Sequence, residues 1–367
     1  MSKMLYLVVQ NEIFLDKVES QAKAWREIGF DVLVFNLQRR LKSFISFVRQ
    51  VRDVEYVYVR FEYTVLRVWL LLLPFIYRKK IIIEIPTPLH IYFREFDYFN
   101  KYKLIILKFL YKLIFPVVAR SACCIIEFGE EKSLLLENYM DKIVILENGT
   151  HDPISYQFPV GYNFNQEAIL EFNNNLRFNI IIVANLTESH GVDRLLHSIN
   201  IYNLAQINDK YEIILHVVGR NTKSTLKISR LIVELNLENQ VIFYGHKNLH
   251  ELAGIYKKAN VSIATLSAFK KGMLKGAFSL KAREAALMGI PSIFDYEDIE
   301  FQNNDLGLKI PANNDNIDIN NLVIQYKAIL YKHKNNLPYY VHEYATTNFS
   351  WRNKFIRLCS RLNWIDN

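Results

Sequence analysis

The densest set of residues suited to chemistry lies in Phe278-Ser-Leu-Lys-Ala-Arg-Glu-Ala-Ala-Leu-Met-Gly-Ile-Pro-Ser-Ile293. Ser279 is a polar start for a helical run that stops at Gly289, and Pro291 leads into an apolar strand. Lys281 and Glu284 then fall in or near the first turn. A lysine there opposes the helix macrodipole, which makes sense if it serves a bound anion. Glu284 can accept two hydrogen bonds from vicinal ribose hydroxyls. It equally suits the role of an ordinary carboxylate near a helix start.

Three further groups follow apolar runs. In Ala184-Asn-Leu-Thr-Glu-Ser-His-Gly-Val-Asp-Arg194 a polar loop ends in His190-Gly191 and opens a helix. His190 and the backbone amides behind it can face an anion, although the same pattern suits a surface loop turning at Gly191. Gly219-Arg220 and Gly245-His246 each follow a strand-like run. Glycine there lets a ligand or another backbone approach closely, and it also serves as a plain turn.

The elements that must hold these residues alternate. Strand-like runs occur at Met4–Val9, Asp31–Asn36, Tyr56–Phe61, Lys80–Ile85, Ala122–Phe128 and Lys142–Leu146, with helical stretches such as Lys17–Ile28 and Glu130–Met140 between. The stretch His151–Phe178 is rich in Asn, Pro, Gly and Tyr and reads as a linker. Strands resume at Ile180–Ala184, Tyr211–Val218, Val241–Tyr244, Val261–Leu266 and Pro291–Asp295. Helices Val192–Ala205, Thr225–Leu237, Leu249–Ala259 and Leu280–Met288 separate them. Alternation of this kind predicts an α/β protein with parallel sheets covered on both faces. Ligands then bind beyond the carboxyl ends of the strands, where the candidate residues stand.

Composition agrees with two ordinary cores. The chain has 367 residues, 51% of them hydrophobic and 22% charged, which argues against disorder. A formal charge of +8 favours acidic partners: nucleic acid, an anionic membrane surface or phosphate-bearing substrates. No basic helix or aromatic-basic sheet motif supports nucleic acid. Three cysteines, with Cys123–Cys124 adjacent in an apolar run, suit a reduced cytoplasmic protein rather than a disulfide framework. No secretory signal pattern precedes the first strand. The apolar runs Val65–Tyr77 and Leu104–Ala119 are interrupted by Arg67 and Pro74, and by Lys108, Lys112 and Pro116, so neither reads as a spanning helix.

The Ser279-Leu-Lys-x-Arg-Glu segment with its Ile290-Pro291 ending, and the preceding Ala264-Thr-Leu-Ser-Ala-Phe-Lys-Lys-Gly272, resemble the nucleotide-sugar region of the retaining GT-B glycosyltransferases of family 4, in particular the polysaccharide-assembly branch. Tyr58-Val-Arg60 with Glu84-Ile-Pro-Thr87, the Asn148-Gly149 turn and Phe349-Ser-Trp351 are similar to the same branch. The resemblance implies a GT-B fold: two Rossmann-like parallel-sheet domains facing a cleft. The N-terminal, acceptor-binding domain would span 1–160 and the donor domain 161–345, with a helix at 346–367 crossing back.

It also implies roles. Glu284 would hold the donor ribose, and Ser279, Leu280 and Lys281 would approach the diphosphate. Asn185, Gly191, Gly219, Arg220, Gly245 and His246 would line the donor site. His190, Lys281 and Glu284 would be the catalytic set. Thr87 and His90 are the polar groups on the acceptor side. The substrate is a nucleotide-sugar, with no cofactor and no metal. Two departures stand out. Asn185 and His190 replace an arginine and a lysine usual in that loop, and Gly276 stands where the family's first paired glutamate belongs. The alternatives are a catalytically silent sugar-nucleotide-binding partner in polysaccharide assembly and a GT-B nucleotide-sugar epimerase.

Lys101, Lys108 and Lys112 fall on one side of a helix whose remainder carries Leu104, Ile105, Phe109, Leu113 and Phe115. Such a helix can lie in an anionic headgroup layer with its lysines snorkelling. It can also be a core helix with a solvated stripe. The run Leu66–Tyr77 followed by Arg78-Lys79-Lys80 favours the membrane, and hence a peripheral position near a lipid-linked acceptor.

Overall fold

The computed structural model describes residues 2–9, 15–37, 41–60, 75–85, 105, 109, 113, 116, 117, 119–128, 134–150, 166–272 and 279–364. Thr87, His90, Lys101, Lys108, Lys112 and Gly276 lie outside the described residues. The chain divides into two compact units: Met1–Glu147 with Trp351–Asn367, and Asn148–Ser350. These boundaries lie at 147 and 350, against the expected 160 and 345.

In the first unit, β1 (Ser2–Val9), β2 (Phe30–Leu37), β3 (Tyr56–Arg60), β4 (Lys80–Ile85), β5 (Ala122–Glu127) and β6 (Ile143–Ile145) form one parallel sheet in the order β2-β1-β3-β4-β5-β6. Ile81, Ile82 and Ile83 are all fully buried, as expected where helices cover both faces of a parallel sheet. Helices α1 (Leu15–Glu27) and α2 (Leu41–Asp53) connect the first three strands. The segment expected as helix Glu130–Met140 is a 3-10 stretch over Leu134–Lys142, kinked at Tyr139.

In the second unit α3 (Gln166–Asn175) precedes β7 (Arg177–Val183). Over residues 166–178 this corrects the linker reading of His151–Phe178, whose residues 151–165 lie outside the described residues. The Asn-rich end of the helix hides its period, but Ala168, Ile169 and Phe172 are buried against the sheet. Asn260 pins α3 from inside: its side chain accepts from the Asn179 amide at 2.8 Å and donates to the Ala168 carbonyl at 3.0 Å. Then follow α4 (Val192–Leu204), β8 (Glu212–Val218), α5 (Lys223–Glu234), β9 (Val241–Gly245), α6 (Leu249–Tyr256), β10 (Val261–Thr265), α7 (Leu280–Leu287), β11 (Ser292–Phe294), α8 (Ile299–Asn303) and β12 (Gly307–Lys309). The sequence reading had no counterpart of β12, whose three residues are too short to show a period. Helices α9 (Ile319–Lys332) and α10 (Leu337–Asn348) complete the unit.

The second sheet runs β12-β11-β10-β7-β8-β9, all parallel. Its first strand, β7, has later strands on both sides, so strand order reverses between β7 and β10. That is the doubly wound dinucleotide-binding order, whose ligand crevice opens at the reversal point.

After α10 the chain returns to the first unit as α11 (Trp351–Arg361). Phe355 stacks on Trp25 of α1 with ring centroids 4.3 Å apart, and it also meets Tyr58. Trp351, Leu358 and Cys359 are buried in the same core.

Candidate functional site

The carboxyl ends of β7, β8 and β9 form a continuous rim. Ala184 donates to the Val218 carbonyl at 2.9 Å, and Gly219 donates to the Gly245 carbonyl at 2.9 Å. A Cβ on Gly219 would sit 2.0 Å from the Ala184 oxygen, so close packing, rather than turn conformation, demands glycine there. The Asn185 side chain accepts from the Arg220 amide at 2.9 Å and locks the β7 loop to the β8 loop. Arg220 and His246 are solvent-exposed on this rim.

Across the reversal point, the β7 loop meets the exit of β10. The Thr265 hydroxyl donates to the Ser189 carbonyl at 2.6 Å, and the Leu266 amide donates to the His190 carbonyl at 3.3 Å. Gly191 has φ +64°, and a Cβ there would fall 2.6 Å from the Ser267 hydroxyl. Both its backbone conformation and its space require glycine. Gly191 is also the N-cap of α4, which therefore starts with no side-chain cap. Its first amides point out of the helix end as a positive pole, with Asp193 in the first turn.

The third part is α7, which packs against β10 and β11. Ser279 is its N-cap, again with no side-chain cap bond. The Tyr296 hydroxyl is hydrogen-bonded to the backbone and side chain of Ser279, and burial holds this phenol well above its usual range. Lys281 and Glu284 are half-buried on the helix. Glu284 lies close enough to the buried Tyr256 to add to the upward shift that burial gives that phenol.

Several residues that matter to this geometry were not singled out from sequence. Arg194 is buried on α4 and spends its guanidinium on the loops: Nε donates to the Asp315 carbonyl (2.6 Å), Nη1 to the Leu266 carbonyl (2.8 Å), and Nη2 to the Pro311 carbonyl (3.1 Å) and Asn313 Oδ1 (3.0 Å). It thereby fixes the exit of β10 to the start of α4. Asp295, after β11, accepts the Ala268 amide at 2.7 Å and holds the following 3-10 turn Ala268–Lys271. Burial raises its carboxyl to about 6. Arg283 is fully buried on α7, where Asp298 (3.0 Å), Glu300 (2.8 Å) and the faces of Phe301 and Phe349 hold it. One cation in the otherwise apolar run Ala282-Arg283-x-Ala285-Ala286-Leu287 was the available signal.

In the first unit, the resemblance to Tyr58-x-Arg60 and Glu84 acquires a physical content. Parallel pairing sets Arg60 opposite Glu84. Glu84 is wholly buried and accepts from the Tyr58 hydroxyl and from Gln21 Nε2 at 3.0 Å, with Lys17 at 3.4 Å and Arg60 at 3.8 Å. Desolvation pushes the carboxyl up, but the two cations and two hydrogen bonds outweigh it and hold the pKa below the usual range.

Residues 166–295 match the family described as Glycosyl transferases group 1. The matched span contains every candidate donor residue from Asn185 to Glu284. HepE of Anabaena, solved in complex with UDP, superposes with a TM-score of 0.64 at 14% identity, over 99% of this chain and 100% of its own. The fold is GT-B. Sucrose-phosphate synthase from Thermosynechococcus elongatus has a TM-score of 0.65 at 15% identity, covering 99% of this chain and 98% of its own. WaaG, a glycosyltransferase involved in lipopolysaccharide biosynthesis, has 0.57 at 12%, covering 97% and 99%. No curated protein matches the sequence significantly. Within the GT-B fold, the β7–β10 reversal point and the uncapped starts of α4 and α7 belong to the C-terminal unit.

Proposed function

We propose that the chain is a retaining glycosyltransferase that moves a sugar from a nucleotide-sugar to a glycan or lipid-linked acceptor in cell-surface polysaccharide synthesis, without a metal. The observation that carries this reading is the coincidence of the group 1 family match, residues 166–295, with the rim at the ends of β7–β10 and with α7. Glu284 would accept the ribose hydroxyls. Lys281, Arg220, His190 and the first amides of α4 and α7 would meet the diphosphate and stabilise the charge that develops as the nucleotide departs, an effect usually worth several kcal/mol. The acceptor hydroxyl would attack the same face of the sugar with the leaving phosphate as base. The N-terminal unit would supply the acceptor side, with Thr87 and His90 as its candidates.

HepE has also been solved with UDP-glucose, so a uridine nucleotide is the first donor to test. Among the described residues, no helix is long and apolar enough to cross a membrane. Ile105, Phe109 and Leu113, spaced by four in helical conformation, are 63%, 61% and 56% exposed. That apolar row supports a peripheral seat on an anionic membrane, for which the sequence offers Lys101, Lys108 and Lys112.

The test is calorimetric titration of the protein with nucleoside diphosphates and UDP-sugars, with transfer of labelled sugar to membrane extracts. Micromolar binding of one nucleotide, weakened at least tenfold (~1.4 kcal/mol) by Glu284→Ala, supports the donor site. Binding without transfer would make the chain a silent nucleotide-sugar partner. Binding of none by the folded protein refutes the reading.

A further inference from the structure

A parallel sheet with helices on both faces carries apolar side chains on both faces. One face of β7, β8 and β9 departs from this rule. Parallel register sets Arg177 beside Glu212, Asn179 beside Ile214 and His216 beside Ile242, and these six, with Tyr244, line one cavity of about 320 Å³. Their alternating neighbours Phe178, Ile180, Ile213 and Leu215 are buried and apolar. A second cavity, of about 390 Å³, adjoins the first along α3. Glu167 and Glu171 line both, and Gln166, Leu170, Asn174 and Asn175 line the second. Both volumes lie in the range of ligand sites, towards its small end.

The polar groups of the first cavity are ordered by one another. Asn179 Nδ2 donates to Glu171 Oε2 at 2.8 Å, and Asn179 Oδ1 lies 3.2 Å from His216 Nε2. A carboxylate accepts only, so the Asn179 oxygen faces the ring and Nε2 carries the proton. Burial, with Lys258 near, holds the His216 pKa down at about 4. At neutral pH Nδ1 is therefore an acceptor, and the Tyr244 hydroxyl donates to it at 3.0 Å. His216 is 4% exposed, and burying such a group for packing alone is costly. A satisfied network of this kind fixes the direction of each donor and acceptor in the lining.

Charge narrows what the lining can hold. Glu167, Glu171 and Glu212 face Arg177 and Lys258, and Arg177 is already 2.7 Å from Glu212 and 3.7 Å from Glu171. The excess of carboxylates disfavours phosphates. Among the described residues, no group of three His, Cys, Asp or Glu side chains is placed to hold a metal. Short planar amides and carboxylates, which pair well with hydroxyls, make up most of the rest. Beside them Leu170 and Ile242, 58% and 42% exposed, offer apolar contact to the C–H face of a ring. We propose that the two cavities form a glycan-binding groove that holds neutral sugar residues by their hydroxyls. The groove starts from the amino ends of β7 and β8, away from the strand-end rim, and its assignment does not depend on the glycosyltransferase reading. It gives the protein a hold on a saccharide beyond the one that transfer requires.

The test is methyl NMR of the full chain labelled at isoleucine and leucine, with Ile242→Val identifying one signal. Glucose, galactose and N-acetylglucosamine are titrated as methyl glycosides and as disaccharides, beside inorganic phosphate and spermidine. At least one sugar should shift Ile214, Ile242 and Leu170 with a dissociation constant of about 1 mM, a usual strength for so few contacts. Glu167→Ala, at an exposed position shared by both cavities, should weaken that binding about tenfold, as for loss of a hydrogen bond to a charged group. Tyr244→Phe should weaken it too, and UDP affinity should stay unchanged in both variants. No shift with any sugar, shifts at Leu280 of the donor side instead, or shifts with phosphate or spermidine alone overturn the proposal. So does sugar binding that both variants leave intact. Failure of UDP to bind, with sugar binding as expected, refutes the glycosyltransferase reading and leaves the groove standing.

Discussion

Replacing Glu84 by Gln should destabilise the first unit severely while changing its volume hardly at all. The side chain loses its charge but keeps its shape, and Gln21 Nε2 and the Tyr58 hydroxyl still find an oxygen. Lys17 and Arg60 do not regain what they lose. Their side chains are 5% and 8% exposed, and each has Glu84 within 4 Å. Lys17 also lies over the faces of Phe128 (4.6 Å) and Trp351 (5.0 Å), which cannot replace the lost charge. Removing one member of a buried charge cluster in this way costs about 3–5 kcal/mol. For a unit of this size each kcal/mol is ~2–4 °C of melting temperature, so the transition should fall by roughly 6–20 °C. Calorimetry gives the shift, and hydrogen exchange of the β4 amides assigns it to this unit. Lys17→Met in the Glu84→Gln background should recover part of the loss, because the remaining cation is then one and not two. A shift equivalent to under about 1 kcal/mol, the range of exposed pairs, would refute the claim that this network is desolvated. The pH profile carries the same sign. The pKa of Glu84 is lowered in the folded state, so its contribution is complete above the unfolded carboxylate pKa of 4.5. It is lost as pH falls below that value through the folded one.

Gly219→Ala places a Cβ 2.0 Å from a backbone oxygen and should cost ~3 kcal/mol or more by chemical denaturation. Gly245→Ala, at φ +71° with nothing within 4 Å, should cost only the left-handed backbone penalty of ~1–2 kcal/mol. Asp295 shows the opposite pH behaviour from Glu84. Its folded pKa is raised from 3.8 to about 6, so burial of the charge costs stability increasingly as pH rises across that interval. Asp295→Asn still accepts the Ala268 amide, and thermal melts should find it more stable than wild type at pH 7 but not at pH 4. Arg194→Met strands the Leu266, Pro311 and Asp315 carbonyls, and equilibrium unfolding should show a loss of ~3 kcal/mol. A loss equal to that of an exposed arginine would show that the clamp does not hold these loops.

Much of the architecture was legible because parallel strands write themselves as short β-branched runs. Ile81-Ile82-Ile83 and Ile180-Ile181-Ile182 are unambiguous, and the residues just past β7, β8 and β9 form the rim of the second sheet. Helix α3 was hidden because Asn173, Asn174 and Asn175 carry loop chemistry into its last turn. Strand β12 was hidden because three residues cannot show a period. Arg194 and Asp295, and the buried network around Glu84, which the sequence offered only as part of a motif, were hidden for a different reason. A charged residue in sequence suggests solvent, and what makes each structural is a partner 24 to 121 positions away, which only register and loop closure bring near. His190 was singled out by its motif, but the amide three residues back that meets its ring is not something a residue type can reveal.

The bridge between Thr150 and Ser350 has a consequence for synthesis. It pairs the two places where the chain enters and leaves the second unit, and the Thr150 amide donates to the Phe349 carbonyl at 2.8 Å. The second unit is thus an uninterrupted insertion with adjoining ends, and all of its core has been translated once Ser350 is made. The first unit lacks that independence, because Trp351, Phe355, Leu358 and Cys359 belong to its core. A ribosome must therefore complete the later unit before the earlier one can close. Until then Trp25, the stacking partner of Phe355, waits for a segment encoded on the far side of an already folded domain.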